Sequence, residues 1–140
     1  MTMTTMRVTL DNPESVPAPY GDRFAHVARL DMGGGALLMF SGQCGVDADG
    51  KVVAPGDIAA QAERTFETIA GLLAAHGAGF DDVLHIRTFM TDLDDLPGYA
   101  AARAKYFGDR RPASTTVEVS RLFLGGLVLE VEITAAVAAV

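Results

Sequence analysis

Apolar and polar positions alternate along three stretches of this chain and take a helical period in two others. In the last stretch Leu129, Val131, Ile133 and Ala135 interleave with Glu130, Glu132 and Thr134, the pattern of a strand with one buried face. Val83–Thr91 reads the same way, with Leu84, Ile86 and Met90 on one side and His85, Arg87, Phe89 and Thr91 on the other. Over Ser114–Leu122, Val117 and Val119 point one way, and Ser114, Thr116, Glu118 and Ser120 the other. Between Asp57 and His76 the period lengthens, so that Ile58, Ala62, Phe66, Ile69 and Leu73 form one helical stripe. Asp57 suits the N-cap, and Gly77 stands at the stop. A second helix is expected from about Pro97 to Phe107, with a proline near its start and Gly108 at its end.

The first third of the chain predicts a short strand near Arg7–Leu10 and an irregular arm stiffened by Pro13, Pro17 and Pro19. Strands His26–Met32 and Ala36–Gly45 then flank Gly33-Gly34-Gly35. Asp49-Gly50 signals a type I′ hairpin turn, and Gly125-Gly126 a turn before the last strand, Leu127–Val137. No repeat or linker interrupts the pattern, so one domain is expected over residues 1–140.

Period two places the apolar set against the two helices, which predicts an α+β fold with both helices on one face of the sheet. The other face would gather Glu118, Glu130, Glu132, Arg87, His85 and Phe89. Such a face is either solvated or covered by a partner subunit, and periodicity alone leaves both open.

Composition narrows the setting. A single cysteine, Cys44, cannot form an internal disulfide, so nothing calls for an oxidising compartment. The net charge is −7, and of eleven basic residues only Arg110 and Arg111 are adjacent, which disfavours nucleic acid as a partner. No apolar run approaches the ~18 residues of a membrane span. The N-terminus lacks a basic start followed by an apolar stretch, so no secretory signal and a cytoplasmic address are expected.

Most motifs fail on inspection. Asp47-x-Asp49-Gly50 begins like a calcium loop, but Ile58 stands where the bidentate glutamate belongs. His26, His76 and His85 lack zinc-ligand spacing, and Gly33–Gly35 lacks the lysine of a phosphate loop. Ser41 lacks the flanking glycines of a nucleophile elbow, and Cys44 reads as a small buried hydrophobe. Glu130 is different. A mid-strand carboxylate is costly unless it is exposed, paired or functional. Glu132, on the same face, adds like-charge repulsion, the combination that raises a pKa and makes a general acid/base.

Arg111-Pro112-Ala113-Ser114-Thr115-Thr116-Val117-Glu118-Val119, followed by Leu129-Glu130-Val131-Glu132-Ile133, resembles the C-terminal signature of the YjgF/RidA family. Those are the reactive-intermediate deaminases, also known as translation inhibitors or L-PSP endoribonucleases. Ser41-Gly42-Gln43, Ala60-Gln61-Ala62 and Phe89-Met90-Thr91-Asp92-Leu93 fit in the right order, and the resemblance covers about residues 22–140. It implies a chorismate-mutase-like mixed sheet and a homotrimer whose helix-free faces surround a threefold axis. Clefts between subunits would bind small carbonyl or carboxylate compounds.

Well-studied members hydrolyse enamines and imines of amino acids to keto acids and ammonia and need no cofactor. The resemblance assigns acid/base work to Glu130 and a binding role to His26, Gly42, Cys44, Arg87, Phe89, Ser114 and Thr116. It also shows a departure: Ser114 stands where the family's carboxylate-binding arginine is expected, and Thr116 where a cysteine is common. The tyrosine that closes the cleft in many members falls, counting back from Ser41, on Ala25-His26, several residues after Pro19-Tyr20. The implied activity is deaminase-type hydrolysis of a non-standard substrate. The alternatives are a non-catalytic ligand-binding or regulatory trimer and, against the charge, a ribonuclease. Arg87 is expected either to anchor an anion or to pair with Glu118 or Glu132.

Overall fold

The computed structural model describes residues 6–139; residues 1–5, where no secretory signal is expected, and Val140 lie outside the described residues. Seven strands are β1 (Arg7–Asp11), β2 (Val27–Asp31), β3 (Gly35–Phe40), β4 (Gln43–Cys44), β5 (Val83–Met90), β6 (Ala113–Glu118) and β7 (Leu129–Ala138). The helices are α1 (Ile58–Ala75) and α2 (Leu96–Phe107). They form one mixed sheet in the order β1-β2-β3-β7-β5-β6, with β4 also pairing β7. Every pair is antiparallel except β5–β6, whose connection runs through α2 and returns in the same direction.

The helical stripe forms as expected. Asp57 accepts the N–H of Ala60 at 3.1 Å, and Ala62, Phe66, Ile69 and Leu73 are buried against the sheet. Phe66 stands at the centre of an aromatic cluster with Phe80, Tyr99, Tyr106 and Phe107, at centroid distances of 5.2 to 6.2 Å. From below, Leu129, Val131, Ile133, Ile86 and Met90 close the core. The opposite face carries Glu130, Glu132, Arg87 and Phe89, as alternation predicted on β5 and β7.

On β6 the structure reverses the expected faces. Thr115 and Val117 lie beside Arg87 and Phe89, whereas Ser114, Thr116 and Glu118 lie beside Ile86, Thr88 and Met90 on the helix side. An edge strand at the rim of the core can turn polar residues toward the helices, because partners and water both reach them there. Ser114 Oγ accepts from Arg103 Nη1 of α2 at 3.2 Å, and Glu118 Oε1 accepts the N–H of Leu93 at 3.0 Å.

Three further expectations change. A register shift between Val83 and His85 turns Leu84 outward, leaving it 50% exposed. The strand expected over Ala36–Gly45 breaks at Ser41-Gly42. The hairpin turn at Asp47–Lys51 is not type I′, because only Gly50 has a positive φ there. Asp47 Oδ1 accepts the N–H groups of both Asp49 and Lys51 at 2.9 Å, which holds a tighter turn with glycine last.

The helix-free face is also less polar than read. Val8, Leu10 and Met39 share it and are 67%, 70% and 53% exposed, a large apolar area to leave in water.

Gln61, wholly buried on α1, ties this architecture together. Its Nε2 donates to Gly126 O at 2.8 Å and Ala54 O at 3.2 Å, and its Oε1 accepts the N–H of Val128 at 2.9 Å. The side chain thereby fixes the turn that leads into β7. Gln61→Leu leaves the Val128 N–H without its partner, while Ala54 O and Gly126 O keep the N–H groups of Asp57 and Gly56, and a loss on the order of 2 kcal/mol in denaturant unfolding is expected. An unchanged midpoint would remove Gln61 from this role.

Candidate active site

A cavity of about 560 Å³ opens where β3 gives way to β4, beside the helix-free face of β7. From Met39 to Gln43 the chain spends one residue more than β7 does from Thr134 to Val131, so a bulge lies at Ser41-Gly42. Cys44 pairs with Glu130 across the ladder, and Glu130 pairs with Phe89 on its other side. A Cβ at Gly42 would come within 2.8 Å of Glu130 Cδ and 2.9 Å of its Cγ. The carboxyl group of Glu130 therefore occupies space that exists because residue 42 has no side chain.

The arm forms the cavity's outer wall. Pro17 O can only accept, so at 2.6 Å from His26 Nε2 it fixes the proton there, and His26 Nδ1 accepts from Gln43 Nε2 at 3.2 Å. The backbone N–H of His26 donates to Asn12 Oδ1 at 2.8 Å, and Ser41 Oγ donates to Ala25 O at 2.7 Å. His26 lines the cavity, but its ring nitrogens are both spent on holding the arm. Ser41 is likewise a fastening.

Burial, reinforced by the charge of Glu132, holds the Glu130 carboxyl above its ordinary range. Burial first, and then Glu130, push the Cys44 thiol up to about 12, so it stays protonated at neutral pH and is not an activated nucleophile. Glu132 accepts from Arg87 Nη1 at 3.1 Å.

Of the residues singled out from the sequence, His26, Gly42, Cys44 and Glu130 meet on this cavity. Arg87 is paired with Glu132 and lies off its wall, as does Phe89. Ser114 and Thr116 stand on the opposite side of the sheet and do not meet Glu130 within one chain. Sequence reasoning passed over Tyr20, Arg23, Phe24 and Phe123, which complete the wall. Tyr20 lines the cavity although it stands too early by residue counting, because the arm turns back at Gly21 and Asp22, both at positive φ (71° and 52°). A proline-stiffened arm carrying aromatic side chains was the signal available. No helix among the described residues is long and apolar enough to cross a membrane.

Residues 22–137 match the family Endoribonuclease L-PSP. A RutC family protein of Pyrococcus abyssi is 31% identical over 109 residues, 78% of this chain and 82% of its own. The 3-aminoacrylate deaminase RutC of Acinetobacter baylyi is 32% identical over 76% of this chain and 81% of its own. The crystal structure of RidA from an Antarctic Psychrobacter superposes with a TM-score of 0.79 at 27% identity, covering 94% of this chain and all (100%) of that one.

A raised carboxyl pKa favours folding only while the group is protonated. The contribution is full below the ordinary value of 4.5 and is lost as pH rises through the raised value. Glu130→Gln removes that loss. Thermal unfolding is expected to show the variant more stable than the parent at pH 8, with the gap closing by pH 4; a gap independent of pH would mean that Glu130 is not perturbed.

Proposed function

This chain belongs to the YjgF/RidA family, the endoribonuclease L-PSP proteins, and on that premise we propose that it is a cofactor-independent enamine/imine deaminase. The half-buried Glu130 carries the reading. It sits in a cavity, its carboxyl accepts no hydrogen bond among the described residues, and its pKa is displaced upward, toward neutral pH. The relative named 3-aminoacrylate deaminase supplies the chemical class, a small enamine acid. Protonation of the enamine carbon gives the imine, water adds to the C=N carbon, and ammonia leaves as the carbonyl forms. Each turnover consumes one water and releases one ammonia, with Glu130 moving the protons.

The active unit in this reading is a homotrimer. The helix-free face supports it, because Val8, Leu10 and Met39 expose an apolar area next to charged groups. A second copy would also be needed to bring Ser114 and Thr116 to the Glu130 cavity, which one chain does not do. Ser114, in the place where the family resemblance implies an arginine, favours a binding trimer as the second reading. RNA cleavage fits the net charge of −7 poorly.

Ammonia release from freshly generated 2-aminoacrylate or 3-aminoacrylate tests the activity. Glu130→Gln is expected to lower turnover on the order of 10²–10⁴-fold while folding normally. Equal rates in parent and variant would remove Glu130 from the chemistry; no turnover by either would leave the binding trimer. Light scattering is expected to give about three times the 14.7 kDa chain mass. A monomer at every concentration would end the shared-cleft proposal.

A further inference from the structure

The acidic groups on the cavity wall are each accounted for. Asp47 is folded onto its own turn, accepting from Asp49 and Lys51, and Glu132 is paired with Arg87. Glu130 is held toward its neutral form by burial. Both ring nitrogens of His26 are engaged, by Pro17 O and Gln43 Nε2. Arg23 is then the cationic side chain on the wall, and among the described residues it makes no hydrogen bond or ion pair. A guanidinium without a partner, on the lining of a cavity whose carboxylates are engaged elsewhere, has the planar fork and free donors that suit a carboxylate.

Its neighbours are aromatic. Tyr20, Phe24 and Phe123 line the same cavity and are 55%, 46% and 54% exposed, too much apolar surface to leave in water without a use. Tyr20 and Phe123 meet edge to face with centroids 5.4 Å apart, forming a preformed apolar wall. The arm that presents them is anchored on both sides of the turn at Gly21-Asp22, by Pro17 to His26 and by Ala25 to Ser41. Wall and cation are thus held in one piece. A cavity of about 560 Å³ also exceeds what a three-carbon acid fills.

We propose that Arg23 binds the carboxylate of the ligand and that Tyr20, Phe24 and Phe123 receive an aromatic or comparably large apolar body, so that the substrate class is aryl-substituted imino or enamino acids. This deepens the deaminase reading and rests on the Glu130 cavity being the active site. Arg87 cannot serve in this way, since its guanidinium is engaged by Glu132, and Arg103 is held at Ser114 across the sheet.

Equilibrium binding tests it without catalysis, with phenylpyruvate, pyruvate and the neutral ketone phenylacetone as probes and ligand-observed NMR as readout. The parent is expected to bind phenylpyruvate about tenfold or more tightly than pyruvate, as burial of an aromatic ring requires. Arg23→Gln is expected to weaken phenylpyruvate roughly tenfold to a hundredfold, the loss of a charge-assisted pair, and to leave phenylacetone unchanged. Arg23→Lys should recover part of the loss, and Arg103→Gln should have no effect. The inference is overturned if the parent does not bind phenylpyruvate, if Arg23→Gln binds it as the parent does, if phenylacetone weakens equally, or if Arg103→Gln carries the loss instead. Arg23-dependent binding without imine turnover would remove the deaminase and keep this site. Imine turnover with normal phenylpyruvate binding by Arg23→Gln would do the reverse.

Discussion

The close approach between Glu130 and Gly42 is the constraint on which the site depends. β7 lies in the middle of the sheet, with its apolar alternate residues sealed under α1 and α2 and its polar ones turned the other way. A glutamate there would usually stand out into water. The bulge at Ser41-Gly42 opens a gap in the neighbouring strand at the level of Glu130, and the missing side chain at residue 42 lets the carboxyl settle into it. Half-burial and the charge of Glu132 then raise its pKa, so one backbone irregularity gives a mid-strand carboxylate a perturbed environment.

Rigidity of the surroundings follows from polar groups that are buried and satisfied. Gln61 fixes the turn into β7 through three hydrogen bonds, and His26 fixes the arm through both ring nitrogens. Both ring nitrogens of His26 and both amide hydrogens of Gln61 are engaged, which leaves neither residue a free donor for a ligand. Their work is to hold Glu130 and the aromatic arm at constant separation.

Charge is distributed with the same economy. The carboxylates near the cavity are paired with Arg87, folded into the Asp47 turn, or pushed toward neutrality by burial. A chain with net charge −7 thus presents a cavity whose lining includes, among the described residues, a guanidinium from the arm without an ion-pair partner. Net charge says little about local potential, because short-range pairing decides which charges a ligand meets.

Period two on β5 and β7 was enough to place Glu130 and Glu132 on the helix-free face, because a central strand buries one side completely and tolerates no slip. The helical stripe and its Asp57 cap were equally legible, since both depend on contacts within a few residues. At the edge the same reasoning inverted β6: a strand with one neighbour and a thin cover can turn Val117 to the open face and Ser114 to the helices. Residue counting likewise misplaced the arm, since two consecutive positive φ values fold Tyr20 back onto the cavity. What the sequence by itself determined was therefore the faces of β5 and β7, the two helices and the mid-strand carboxylate Glu130, all set by local periodicity. The bulge at Gly42, the face of β6 and the placing of Arg23 and Glu130 on one cavity were decided only in three dimensions, because each depends on contacts between segments far apart in the chain.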